Sequence, residues 1–254
     1  MSKLKRIQIA KSPKAMVVSR STFSRRSLHG QTASRLGQMI ASGEFPEGSL
    51  LPLEADLMDL LECSRSVLRE AILVLTAKGM LEARQKLGTR IRPRTEWSLL
   101  DPDVVDWVAS TGDRDLILQL CEMRTIVEPA MARIAAEQGS RENIAAIGEA
   151  LRGMEATVDS LESFIPYDLA FHESIIRSTQ NMFMGSLSGI IRDAVLTLMV
   201  VVQVPEDLRK FRLDLHRETY EAIAKRDGKK AAHSMEKLVS AANEDLLSAM
   251  NKED

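Results

Sequence analysis

The stretch CSRSVLREAILVLTAKGML, residues 63–81, decides the fold of the first third of this 254-residue chain. It reads as one helix. Ser64 suits the N-cap and Gly79 a C-terminal stop, while Val67, Leu68, Ala71, Ile72, Val74 and Leu75 recur along one side. Arg65 then falls at the first helical position, with Arg69 one turn later on the opposite face. An apolar side for packing, with arginines near the N-terminal end, suits contact with an anion.

Working outward, Ala33, Leu36, Met39 and Ile40 mark a helix over 28–41 that stops at Gly43. FPEGSLLP (45–52) is turn chemistry, and LEADLMDLLECS (53–64) is a short second helix with Leu57, Leu60 and Leu61 inward. After the quoted helix, two short extended runs flank Gly88, which can take the positive φ of a hairpin turn. Three helices and a hairpin make a winged helix-turn-helix. In that arrangement the N-terminal residues of the third helix reach base edges in the major groove.

The arginines gain a role from this setting. A guanidinium can bond bidentately to guanine O6 and N7, and Ser64 and Ser66 can hold phosphates beside it. Lys86, Gly88, Arg90 and Arg92 in the hairpin are placed for the backbone or adjacent minor groove. A pair of arginines alone would read as a solvated face; the surrounding pattern decides for DNA.

Charge divides the chain in the same way. Residues 1–94 carry 17 Lys and Arg against 8 Asp and Glu, and the remainder carries 17 against 28. Residues 1–26 hold eight basic residues and no acidic one, and are expected to be a flexible basic arm. Two distant cysteines, Cys63 and Cys121, argue for a reducing compartment. The longest apolar run, Ala194–Val202, is about half of the ~20 residues a membrane helix needs. A soluble cytoplasmic protein with no membrane association is expected.

From residue 95 the pattern is helical throughout. Asp101-Pro102 is an N-cap followed by Pro at N1, and opens a helix within a linker, 95–112. Helices are expected over 114–138, 141–159, 163–178, 182–203, 206–226 and 229–249, forming an all-α bundle from 113 to 250. The fold class is therefore mainly α: an arm (1–26), a winged helix-turn-helix (27–94), the linker helix and a bundle of six to seven helices.

Within the bundle, Asp168 and His172 lie four apart on one helical face, and His216 lies on a later helix. Asp with neutral His ligands suits zinc, nickel, manganese or a similar divalent ion. On spacing alone a satisfied side-chain pair is the commoner explanation. Gln203 and Arg212 are polar or charged residues beside apolar stretches and are expected to line a binding cavity with them.

FPEGSLLPLEADL, SRSVLREAILVLTAKGML and KLGTRI together resemble the DNA-binding domain of GntR-family bacterial transcription regulators. Ala55 and Leu87 stand where relatives often carry polar or charged residues. EMRTIVEPAMARIAAE, DLAFHESIIRSTQN and LHRETYEAIAKRDGKKAA resemble the ligand-binding domain of the FadR subgroup over 98–245. WSLLDPDVVDWVAS and VEPAMARIAAE look most like its galactonate-operon repressor branch. The resemblance implies that Asp168, His172 and His216 bind a divalent metal, with zinc expected first. It implies a further histidine where this chain has Leu238; His233, five residues away, lies on another face. It also implies that Arg124 clamps an anionic effector. An Arg124–Glu128 ion pair on a helix surface is the alternative for that residue.

The reading that joins these features is a homodimer that binds a palindromic operator and represses a sugar-acid catabolic operon until a carboxylate effector, of hexonate or hexarate type, releases it. The alternatives are a metal-dependent enzyme acting on a sugar acid with an appended DNA-binding head, and an architectural DNA-binding protein.

Overall fold

A computed structural model describes residues 27–84 and 87–252. The basic arm and Lys86 lie outside the described residues. The chain forms two compact units, one ending at Gly112 and the other beginning at Asp113.

In the first unit, α1 (Leu28–Ala41) is capped by Ser27, whose Oγ accepts the Gly30 N–H at 3.2 Å. Next come α2 (Glu54–Leu61) and α3 (Arg65–Ala77), joined by a turn in which Glu62 takes a left-handed φ of 52°. Leu68, Ala71 and Leu75 of α3 pack inward with Leu36, Ile40, Leu57 and Leu61. The buried stripe is narrower than the periodicity predicts. Val67, Ile72 and Val74 are half-buried on its flanks, and Leu60 is exposed.

β1 (Leu81–Arg84) and β2 (Gly88–Ile91) form the antiparallel hairpin, with Leu81 opposite Ile91 and Arg84 opposite Gly88. The segment before α2 adds to it: Leu50 bridges Arg90, and the Leu51 N–H donates to the Thr89 carbonyl at 2.8 Å. This pairing ties the wing to the start of the helix-turn-helix.

Residues 95–112, expected as a linker, belong to this unit. Asp101 caps α4 (Pro102–Ala109) by accepting the Asp103 and Val104 N–H groups. Val104, Trp107 and Val108 are buried. The Trp107 ring lies flush on α1 at Gly37, where a Cβ would come within 2.5 Å of ring carbon, and its indole N–H donates to Ser34 Oγ at 3.2 Å. Lys78, at the end of α3, is 4% exposed and reaches Asp101 at 2.6 Å and Asp103 at 2.9 Å. Gly37→Ala is expected to destabilise this unit by about 1–3 kcal/mol, because helix and indole cannot both keep their places. A urea titration followed by Trp fluorescence measures it; an unchanged midpoint would mean that α4 does not pack there.

The second unit contains α5 (Arg114–Gln138), α6 (Arg141–Thr157), α7 (Leu161–Ser178), α8 (Met182–Gly185), α9 (Ser188–Val202), α10 (Glu206–Ala224) and α11 (Gly228–Lys252). The helix expected over 182–203 is two. Asn181 caps the first turn at Phe183 and Met184, and the chain breaks at Ser186-Leu187 before α9. This break divides the stretch Met182–Met199, which by length and apolarity alone could cross a membrane. Met131, Phe164, Phe171, Ile191, Leu213 and Val239 are among the side chains that fill one core shared by the long helices.

Candidate functional site

The exposed end of α3 has the expected residues. Ser64 caps it, its Oγ 3.5 Å from the Val67 N–H and 3.1 Å from Ser66 Oγ. The Arg65 and Arg69 side chains are 65% and 63% exposed. One carboxylate gathers both: Glu54, the first residue of α2, lies 3.4 Å from Arg65 Nε and 3.3 Å from Arg69 Nε. Sequence reasoning missed Glu54, since its partners are 11 and 15 residues away with no local period to reveal them. The contact is to Nε in each case, and a guanidinium carries four further N–H donors.

In the wing, Gly88 has φ +113° with nothing within 4 Å of where a Cβ would stand, so only backbone conformation demands glycine there. Arg90 and Arg84 both bind Glu82, at 2.5 Å and 2.9 Å. Arg84 was not anticipated; it joins the basic edge from the opposite strand. Arginines held by single carboxylates thus occur both at the N-terminus of α3 and on the wing, groups able to hold phosphates and reach base edges.

The second constellation is inside the helical unit. Asp168 and His172 on α7, His216 and Arg212 on α10, and Arg124 and Glu128 on α5 are all at most 4% exposed. Charged groups are seldom this deep unless paired or coordinating. Asp168, His172 and His216 each offer a ligand atom within 4.8 Å of the others.

The proton arrangement is specific. His216 Nδ1 lies 2.7 Å from the Arg212 carbonyl, to which it can only donate. In the neutral ring that leaves the Nε2 lone pair facing Asp168 Oδ1 at 3.1 Å. Two acceptors at that distance need a proton or a cation between them. Neither Asp168 oxygen has a hydrogen-bond donor, nor does His216 Nε2. Phe171 holds the His216 ring edge-on at 4.9 Å between centroids. His172 Nδ1 is 2.5 Å from Glu128 Oε2, which leaves Nε2 as its other nitrogen. A carboxylate behind a histidine in this way orients a metal ligand. The donor set and its unsatisfied atoms thus fit a divalent ion.

Glu128 was missing from the sequence-based site. It joins Arg124, at 2.5 Å, to His172. Burial works to raise its carboxyl, but the Arg124 charge and the His172 ring outweigh that and hold it at about 2. Burial likewise opposes the Asp168 charge, and His216, then His172 and Arg124, overcome it and keep that carboxyl below the ordinary range. The Arg124–Glu128 pair therefore exists, but in the core and not on a helix surface.

A small cleft with free space of about 20 Å³, room for about one water, opens beside these groups. Arg124 and Arg212 line it with Asp168, His172 and His216; Arg212 also binds Asp245 Oδ2 at 2.6 Å. Val195, Leu198, Met199, Leu238 and Ala242 form the rest. Leu238 thus faces the site with an apolar side chain where a further histidine was expected from the resemblance, and His233 is exposed and away from it. Gln203 does not line the cleft, contrary to expectation. It ends α9 in a left-handed conformation, φ 44°, and its side chain is exposed.

Two family models cover these regions. Residues 28–91 match the bacterial regulatory proteins of the gntR family, and residues 119–241 match the FCD domain. The galactonate operon transcriptional repressor of Escherichia coli K12 is 32% identical over 213 residues, 83% of this chain and 93% of that protein. The chain belongs to the GntR family. Among other relatives of this GntR regulator, the uncharacterized HTH-type regulator YieP of E. coli K12 is 30% identical over 82% of the chain and 90% of that protein. The solved structure of Lar from Listeria monocytogenes shares the fold, with TM-score 0.63 at 19% identity over 88% of this chain and 98% of that one. GntR proteins bind DNA and regulate transcription, so this chain is a transcription regulator and not an enzyme with an appended DNA-binding head.

Proposed function

We propose that this GntR regulator is a cytoplasmic homodimeric repressor that releases a palindromic operator when a small carboxylate binds its helical unit. The carrying observation is the buried convergence of Asp168, His172 and His216 next to two arginines, in a unit separate from the DNA-binding one. Asp168 Oδ and one nitrogen from each histidine would hold a divalent ion, zinc first, with nickel or manganese as alternatives. When bound, the ion supplies a Lewis-acid anchor for a carboxylate oxygen. The remaining N–H groups of Arg124 and Arg212 bind and orient the same carboxylate. The E. coli galactonate repressor's name makes a hexonate- or hexarate-type sugar acid the first compound to try.

On DNA, two copies of α3 related by a two-fold axis read two half-sites. Arg65 and Arg69, aimed by Glu54, supply base contacts, and Ser64, Ser66, Arg90 and the wing backbone at Gly88 supply phosphate contacts. A coupling of about 1–3 kcal/mol between effector and operator changes affinity roughly 5–150-fold.

The direct test titrates the purified protein onto its own promoter DNA and onto random DNA, with and without a carboxylate panel. Specific binding released by one acid is the expected result. Tight specific binding indifferent to every acid would refute the effector site, and binding that ignores sequence and falls steeply with salt would mark an architectural protein. In the same assay Arg69→Ala is expected to reduce the operator-to-random ratio by roughly 10–100-fold, leaving the helical unit's melting unchanged. A retained ratio would remove α3 from base recognition.

A further inference from the structure

We infer that Glu54 sets the sequence discrimination of the DNA-binding unit by holding Arg65 and Arg69 back from the phosphates of random DNA. The inference rests on the reading of these arginines as base contacts and concerns what keeps them off the wrong sequence.

One carboxylate divides itself between two guanidiniums at the start of α3. Glu54 Oε2 lies 3.4 Å from Arg65 Nε, and Glu54 Oε1 lies 3.3 Å from Arg69 Nε. The fold fixes the glutamate there: it is the first residue of α2, where the helix dipole favours an anion. The wing repeats the arrangement with a different pair. Glu82 Oε1 accepts the Nε–H of Arg84 at 3.0 Å and that of Arg90 at 2.5 Å. Glu82 stands opposite Arg90 in the hairpin register, and Arg84, two residues on, shares its face.

Stability does not explain either pair. The four arginine side chains are between 35% and 65% exposed, and solvated ion pairs contribute little to folding. An exposed carboxylate can, however, compete with another exposed anion. Phosphates supply essentially all the affinity for DNA of random sequence, through basic side chains that turn onto the backbone. Arg65 and Arg69 must leave Glu54 to do this, and the glutamate left behind then faces the phosphates, charge against charge. A guanine edge makes no such demand. The contact to Glu54 is through Nε, and a guanidinium can bond O6 and N7 through its other N–H groups. Glu54 therefore penalises the complex in which α3 uses phosphates and spares the one in which it uses bases. Glu82 differs in consequence, because wing arginines meet the backbone in either complex. It weakens both alike and leaves their ratio unchanged.

The test compares Glu54→Gln with Glu82→Gln in the full-length protein. Each removes one carboxylate charge from two arginines at an exposed position. Fluorescence anisotropy reads binding to the protein's own promoter fragment and to a random duplex of equal length, between roughly 50 and 200 mM salt. Glu54→Gln is expected to bind random DNA roughly 3–10-fold more tightly, with a salt slope steeper by about 1–2, while the promoter fragment gains nothing. Its promoter-to-random ratio falls by the same factor. Glu82→Gln is expected to tighten both complexes and keep the ratio. Adding Arg65→Ala and Arg69→Ala to Glu54→Gln should erase the gain on random DNA. Unchanged random binding in a folded Glu54→Gln protein would overturn the inference. So would an equal fall in ratio for Glu82→Gln, which would reduce the effect to bulk charge, or a gain that survives loss of both arginines. Failure of the base-contact reading shows separately, as a ratio that Arg69→Ala alone leaves intact.

Discussion

Lys78→Ala is expected to destabilise the DNA-binding unit by about 3–5 kcal/mol, enough to leave much of it unfolded. The ammonium is buried and is held at 2.6–2.9 Å by Asp101 and by Asp103, which is itself 0% exposed. Removing the cation leaves two carboxylates side by side, one of them without water. Asp101 also caps α4, so the repulsion acts where that helix begins. Urea unfolding of the unit, read by far-UV circular dichroism, gives the size. A companion variant, Lys78→Met with Asp101→Asn and Asp103→Asn, removes these three charges together and is expected to recover most of the loss, because an absent ion network costs far less than a broken one. A loss below about 1 kcal/mol for Lys78→Ala would show that water reaches the carboxylates and that the network contributes little.

His216→Ala is expected to abolish stabilisation by metal. A site filled at a thousand times its dissociation constant adds about 4 kcal/mol to the folded state. Wild-type protein should therefore melt several degrees lower after chelation and recover when zinc is restored. The variant keeps Asp168 and His172 but lacks the nitrogen whose orientation the Arg212 carbonyl sets, and it should melt at one temperature with or without chelator. Metal analysis after gel filtration checks the same point by mass. If the wild-type melt ignores chelation and zinc, the gap between His216 and Asp168 is closed by a proton, and the trio is an ion pair within the core.

Much of this was legible in the sequence for local reasons. Helix ends follow from nearby residues: Ser64 before α3, Asp101-Pro102 before α4, Gly139 after α5. Asp168 and His172 share a face because they are four apart, and His216 reaches them because α7 and α10 both pack on α5 and α6. What escaped depends on contacts between elements. Glu54 and Glu128 are ordinary glutamates in the sequence; one becomes an anchor for two arginines and the other a brace for a histidine only when a second helix arrives. The docking of Trp107 on Gly37 likewise joins residues 70 apart. Gln203 misled because an apolar neighbourhood in sequence says nothing of where the residue that ends a helix points. Leu60 misled because a short helix touching one neighbour buries fewer leucines than its pattern offers.

The way α4 is fastened has a consequence for how operators are ranked. Lys78 ties its first turn to the end of α3, and Trp107 presses its last turn onto α1, so the helix through which the chain leaves at Gly112 is part of the body that carries Arg65 and Arg69. Such a body can be turned or tilted as a whole, and Arg65 and Arg69 move together because both are carried on α3. In the dimeric repressor proposed above, an effector would then change how well two half-sites are spanned, and with it the strength of every operator, while the order of preference among base sequences would stay as it was. Natural variation in operator sequence and natural variation in effector level would act on transcription as independent multipliers.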